Sequence, residues 1–216
     1  RITGLEDEFG EVADSFNEMS ESLNQYINRI KESENRYRML FESAGDAIFI
    51  LDAEGEKTGN ILSANKAAAD MHGYTVDELL KLNIKDIDAT EAAAEVPGRI
   101  RRIMNGEWLK AEIFHRKKDW TIFPVEISAG LLQFMDHKYI LAFDRDITQR
   151  KKTEEKLYES EQKFKSIFDN AIDGILLANV LTRELYTGNR KICEMLGYNL
   201  EELSRLKVSD IHPEEN

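Results

Sequence analysis

From Phe9 the apolar positions along the chain step by three and four residues: Phe9, Val12, Phe16, Met19, Leu23, Tyr26 and Ile30. That spacing is a heptad seam. Ser33 weakens it, Tyr37 and Leu40 resume it, and no proline occurs before Pro97. The pattern predicts one helix over about residues 6–42. Its apolar stripe is too narrow to be satisfied alone, so a partner helix is expected. A parallel homodimer is preferred over packing on its own domain.

Downstream the period changes. Residues 47–52 form a short apolar run, read as a buried strand; 53–57 carry turn chemistry; 59–64 read as a second strand. Asn65 takes the N-cap position of a short helix through Met71, which Gly73 ends. Thr75-Val76-Asp77-Glu78 has the capping-box form. Residues 91–104 read as helical, with Pro97 and Gly98 breaking the helix or marking its true start. Ile100, Ile103 and Met104 are expected to face the core. Residues 109–118 then read as a strand. Thr121, Phe123, Val125, Ile127, Ala129 and Leu131 line one face of a long strand at period two, and Tyr139, Leu141 and Phe143 mark the last. Asp119, and Asp136 with His137, fall in the turns. Two strands, several short helices and three strands predict an α+β fold, one five-stranded antiparallel sheet with helices on one face.

The chain also repeats itself. Residues 32–52 align with 159–179 at an offset of 127, with seven of 21 positions identical, Phe41/Phe168 and Asp46/Asp173 among them. Residues 60–87 align with 184–211 at an offset of 124, with nine of 28 identical, including Asn65/Asn189, Gly73/Gly197 and Asp86/Asp210. The smaller offset predicts a shorter first hairpin in the second copy. A unit of this size is a domain and not a solenoid repeat. By the length of the first copy, the second stops roughly 50–60 residues short. Its two strands lack sheet neighbours, which predicts a poorly ordered segment.

Composition narrows the partners. The 29 basic and 41 acidic residues leave a net charge of −12, which repels phosphate backbones. The basic clusters (Arg99, Arg101, Arg102; His115, Arg116, Lys117, Lys118) are short and read as solvated faces, so no nucleic-acid partner is expected. The single cysteine, Cys193, excludes an intramolecular disulfide and a multi-cysteine metal site and fits a reducing compartment. No apolar run approaches the ~20 residues of a membrane span. The chain begins at Arg1 in mid-pattern, without an initiator Met, and is expected to be a piece of something longer.

Two family resemblances follow from these motifs. Asp7-Glu8-Phe9-Gly10-Glu11-Val12, with Ala13, Phe16, Asn17 and Met19, resembles the second helix of HAMP domains, linker bundles that carry signals out of membrane receptors. That resemblance implies a first HAMP helix and a transmembrane segment upstream of Arg1. Four further stretches together resemble a PAS domain, the sensory module of bacterial signalling proteins. They are residues 37–52 (Y-x-x-L-F-E-S-A-G-D-A-I-F-I-L-D), 65–78 (N-x-A-A-x-x-M-H-G-Y-T-x-D-E), 115–128 (H-R-K-K-D-W-T-I-F-P-V-E-I-S) and Asp146-Ile147-Thr148 followed by Arg150-Lys151. The second copy closes on Asp210-Ile211-His212-Pro213-Glu214. The expected organisation is a HAMP helix at 1–30, a PAS domain with its N-terminal helix at 31–148, a linker helix at 149–159 and the N-terminal part of a second PAS domain at 160–216. The expected fold is thus α+β: a PAS fold preceded by a long coiled-coil helix and followed by a truncated second copy. One departure is Trp120, at a turn position where the family usually has Gly; a bulky residue there disfavours the tightest turn.

Catalytic chemistry is not visible. No GxxxxGK or GxGxxG occurs, and no acidic residue follows any of the four histidines (His72, His115, His137, His212), as it usually follows a kinase phosphoacceptor. No metal-site spacing is present, and each histidine reads as a surface or cap residue. The PAS resemblance implies a ligand site between the sheet and the long helix. Cys193 lacks the N-C-R-F context of flavin photoreceptors, and residues 91–104 hold no His for haem. No cofactor is therefore predicted. Ile103, Met104, Trp120 and Phe123 are candidates to line a pocket for a small organic ligand, although such residues are more often plain core. The resemblance assigns signal coupling to Asp146, Ile147 and Thr148, where side-chain oxygens can bond backbone N–H groups at a helix start. The expected function is a sensory relay segment of a two-component sensor, on the cytoplasmic side of the membrane, with dimeric helices leading to a histidine kinase. A diguanylate cyclase output and a purely structural dimerisation module are the alternatives.

Overall fold

The computed structural model describes residues 8–212. Asp7, Pro213 and Glu214 lie outside the described residues, as do the side chains of residues 8–11 in the HAMP-like motif. The elements run α1 (Glu8–Ser43), β1 (Ala47–Asp52), β2 (Ile61–Ala64), α2 (Lys66–His72), α3 (Val76–Leu79), α4 (Ile84–Ile87), α5 (Thr90–Met104), β3 (Leu109–Arg116), β4 (Ile122–Phe134) and β5 (His137–Asp146). Then come α6 (Thr148–Asp169), β6 (Leu176–Ala178), β7 (Leu185–Gly188), α7 (Arg190–Leu196), α8 (Leu200–Leu203) and α9 (Val208–Ile211). The chain divides into two compact units, residues 1–148 and 149–216.

In the first unit the five strands form one antiparallel sheet in the order β2-β1-β5-β4-β3. Phe49, Leu51, Ile61, Leu79, Ile87, Ile103, Leu109, Phe123, Val125 and Ile140 fill the core between the sheet and the short helices. Each such side chain contributes about 1.5–3 kcal/mol on burial. The heptad stripe of α1 stays exposed; Leu23, for one, keeps 60% of its surface. No helix among the described residues is long and apolar enough to cross a membrane.

Asn65 ties three elements together. Its Oδ1 accepts from the backbone N–H of Ile48 (3.0 Å) and, as the α2 N-cap, of Ala68 (2.9 Å). Its Nδ2 donates to the carbonyls of Phe41 (3.0 Å) and Asp46 (3.1 Å), at the end of α1 and the start of β1. Gly73 ends α2 at φ 74°, a left-handed conformation that costs glycine nothing. Thr75 and Glu78 form the expected capping box.

One local expectation needs correction. Pro97 and Gly98 do not break α5, which runs unbroken from Thr90 to Met104. Pro97 removes one donor, and beside the gap the Arg99 guanidinium donates to the Ala92 carbonyl at 2.8 Å. At the β3–β4 turn, where the tightest form is disfavoured, residues 118–120 make a three-residue loop that Trp120 closes. Trp120 takes φ 70°, and its N–H donates to the Lys117 carbonyl at 2.9 Å. The left-handed backbone costs about 1–2 kcal/mol, partly offset by the Arg116 guanidinium lying 4.4 Å over the indole. On β5, Tyr139, Leu141 and Phe143 lie half-buried on the outer face; Ile140, Ala142 and Asp144 occupy the core face.

The second unit repeats the start of the first on a smaller scale. β6 pairs antiparallel with β7, and Asn189 repeats the Asn65 arrangement. Its Oδ1 accepts from Ile175 N and Ile192 N, and its Nδ2 donates to the Asp173 carbonyl, all at 2.9 Å. A capping box at Asn199 and Glu202 starts α8.

Candidate functional site

Between the sheet and α5 lies a cavity of about 50 Å³. A water-sized probe needs roughly 10–15 Å³, so this space takes a few waters or a ligand of a few heavy atoms. Its wall is mostly aliphatic: Leu51 from β1; Val96, Ile100 and Ile103 from α5; Leu109 and Ile113 from β3; Ile127 and Ala129 from β4; Ile140 and Ala142 from β5. One end is polar, built from Asp88, Arg99, His115 and Asp144.

Periodicity puts these charges inside. On β3, His115 is in phase with Leu109, Ala111 and Ile113; on β5, Asp144 is in phase with Ile140 and Ala142. Asp88 follows α4 and bridges to the β3 strand at His115. Arg99 projects from α5 onto Asp88 in a buried ion pair. On α2, His72 lies one turn after Ala68 and is buried with it.

The partners define the hydrogen-bond network. His72 Nδ1 donates to the Ala68 carbonyl at 2.9 Å, which leaves Nε2 to accept from His115 Nδ1, also at 2.9 Å. His115 Nε2 approaches Asp88 Oδ1 to 3.0 Å without the alignment of a hydrogen bond. Asp88 Oδ1 and Asp144 Oδ2 have no hydrogen-bond partner among the described residues, although Asp88 and Asp144 are only 1% and 2% exposed. Burial pushes the Asp144 carboxyl up to about 6 and the His72 imidazole down to about 4. The rings of His72 and His115 meet Phe123 edge-on, and that of His72 also meets Phe49.

The sequence-predicted pocket residues divide. Ile103 lines the cavity. Phe123 is buried in the core against His72 and His115, and Met104 packs on the core's edge. Trp120 does not belong: it is 72% exposed in the hairpin turn. Asp146, Ile147 and Thr148, where signal coupling is expected, span the end of β5 and the start of α6. Ile147 is buried and its N–H donates to the Pro124 carbonyl at 3.1 Å. Asp146 Oδ1 accepts from Thr148 N at 2.8 Å, and Thr148 Oγ1 is buried with no hydrogen-bond partner among the described residues.

Reading every histidine as surface or cap is corrected for His72 and His115, and reading the basic clusters as solvated faces is corrected for Arg99 and His115. Arg116 and Lys118 do keep surface roles, donating to the Asp86 carbonyl (2.9 Å) and to Glu78 (2.7 Å). The signal for the buried residues was present: a charge or imidazole in phase with an apolar face, at positions 72, 115 and 144. Among the described residues no cluster of three or more His, Cys, Asp or Glu can hold a metal.

Comparison with known proteins agrees with this architecture. A family model described as "PAS domain" matches residues 35–111 and 162–216. The chain is 33% identical over 131 residues to the methyl sulfide methyltransferase-associated sensor of Methanosarcina acetivorans, covering 58% of this chain and 12% of that protein. It is 26% identical over 182 residues to sporulation kinase E of Bacillus subtilis, covering 83% of this chain and 23% of that protein. The crystal structure of the PAS domain of an HTR-like protein from Haloarcula marismortui matches with a TM-score of 0.52 at 27% identity, covering 57% of this chain and 99% of that one. The chain thus spans less than a quarter of the length of either curated relative.

Proposed function

The chain belongs to the PAS-domain family, and on that premise we propose that it is the sensing and relay segment of a membrane-anchored two-component sensor with a histidine-kinase output. Homology to a sensor and to a kinase supports a signal-transduction role. In this reading residues 1–30 are the second helix of a HAMP linker, 31–148 the first PAS domain, 149–159 a linker helix and 160–216 the start of a second PAS domain. A transmembrane segment precedes Arg1, and the segment works on the cytoplasmic face as a homodimer. No residue of the chain is catalytic and no haem or flavin is used; a small ligand enters the cavity.

One observation carries the reading. The central strand β5 sets Asp144 in the cavity wall and, a few residues on, delivers Asp146, Ile147 and Thr148 to the start of α6. A change in what the cavity holds therefore acts on the strand that leads into the output helix. Transfer is a shift between two packings of paired helices, biased by the PAS core. The exposed heptad stripe of α1, and Leu157 at 60% exposure on α6, supply the surfaces for pairing. Ser33 interrupts the seam, which keeps any one register from being deeply preferred.

Single-cysteine crosslinking in a Cys193→Ser background tests this. Probes at Leu23 and at Leu157 are expected to form intermolecular disulfides in the full chain. Absence of crosslinks at every seam position rules out the paired-helix relay.

A further inference from the structure

We propose that the polar end of the cavity binds a small alkylammonium ion, its alkyl body against Val96, Ile100 and Ile103 and its charged head between Asp144 and Asp88. The proposal rests on the sensory reading of the cavity and names the ligand class.

The unpartnered atoms decide the chemistry. Asp144 Oδ2 and Asp88 Oδ1 are buried acceptors without a hydrogen-bond partner among the described residues, on two residues that line the cavity; His115 Nε2 lies 3.0 Å from Asp88 Oδ1. A ligand that brings hydrogen-bond donors satisfies them; a carboxylate or a ketone leaves them unpaired. Charge points the same way. Arg99 is engaged by Asp88 and by the Ala92 carbonyl, so it serves as the counterion of Asp88. His115 Nδ1 stands 3.9 Å from Asp144 Oδ2, and its hydrogen is directed at His72. Asp144 is thus a buried carboxyl without a dedicated cation, and an ammonium head supplies one. The aliphatic lining and the volume of about 50 Å³ limit the body to a short alkyl chain.

The neighbours of Asp144 also set a pH dependence. His115 from β3, Asp88 after α4 and Arg99 from α5 are the charged or titratable groups around it; its cross-strand partners Ala47 and Ile127 are apolar. Burial dominates and holds the carboxyl up, at about 6. An ammonium head needs the ionised form, so affinity rises with pH through that value and then levels off.

Titration calorimetry on the full 216-residue chain tests the proposal with butylammonium chloride, 1-butanol and sodium butyrate as probes. Butylammonium is expected to bind. Asp144→Asn, which keeps shape and removes a desolvated charge, is expected to weaken it about tenfold to a hundredfold. Ala142→Val, which fills the cavity with a strand-forming side chain, is expected to abolish it. Binding of butanol or butyrate without butylammonium overturns the amine class and leaves a sensing cavity. Equal affinity in wild type and Asp144→Asn overturns the head position. Binding of none of the probes means the polar end is hydrated only and overturns the site, while the crosslinking result judges the relay independently.

Discussion

At the scale of single residues, Asn65 does more than cap a helix. Removing its side chain leaves two backbone N–H groups and two carbonyls without their partner. Asn65→Ala is therefore expected to cost about 3 kcal/mol or more in urea unfolding. Asn65→Asp keeps both accepted bonds but sets a buried carboxylate oxygen against two carbonyl oxygens, and is expected to cost at least as much. Asp144 has the opposite sign. Its carboxyl lies near 6 in the fold against an ordinary 3.8, so between those values the unfolded chain ionises first and stability falls as pH rises. Asp144→Asn is expected to gain about 2 kcal/mol at pH 8 and nothing near pH 4, measured by thermal unfolding. His72 is held neutral to about 4 from 6.5, so its contribution grows with pH between those values and opposes that of Asp144. The variant should thus show a steeper rise in stability across that interval than the wild type. Asn65 was legible from its place before a helical run. The buried network was not: His72 and His115 lie 43 residues apart, on a helix and a strand, and only the fold brings them together.

Among the elements, α5 is the one the cavity depends on, and it carries a proline in its middle. Pro97 is exposed and offers the carbonyl of Ala93 no donor. Pro97→Ala restores that bond and is expected to raise stability by about 1–2 kcal/mol, with slower amide exchange through residues 93–101. The helix itself was legible, and its continuity was not. A proline read in sequence signals a stop, yet Val96, Ile100 and Ile103 make tertiary contacts on both sides of it that hold the helical path. The last strand gives a similar lesson. Both of its faces carry apolar residues, so the alternation marked a strand without marking its inward face. The pairing of β5 with β1, Phe49 opposite Ala142, sets which alternate residues turn inward.

For the whole molecule, the exposed stripe of α1 is the largest unmet demand. Val12, Phe16, Met19, Leu23, Tyr26 and Ile30 all remain open to solvent. A charge at the seam should prevent pairing without harming the PAS core. Leu23→Glu is expected to convert a dimer to a monomer in light scattering while the PAS unit keeps its unfolding transition. The duplicated architecture was readable from two offsets in the alignment of the chain with itself. The Asn65/Asn189 identity in that alignment also marked a shared arrangement, since Asn189 makes the same kinds of bond as Asn65.

The strand order has a consequence for how such chains arise. The first strand of the domain lies beside its last, with Ala47 opposite Asp144. Just outside them Asp46 and Arg145 clasp each other through two hydrogen bonds of 2.9 and 2.6 Å, which holds the Asp46 carboxyl below its usual range. The polypeptide therefore leaves the domain next to where it came in. A module with adjoining ends can be spliced into a helical conductor, and spliced in again, without rerouting it, which makes tandem gene duplication an easy path to the arrangement seen here.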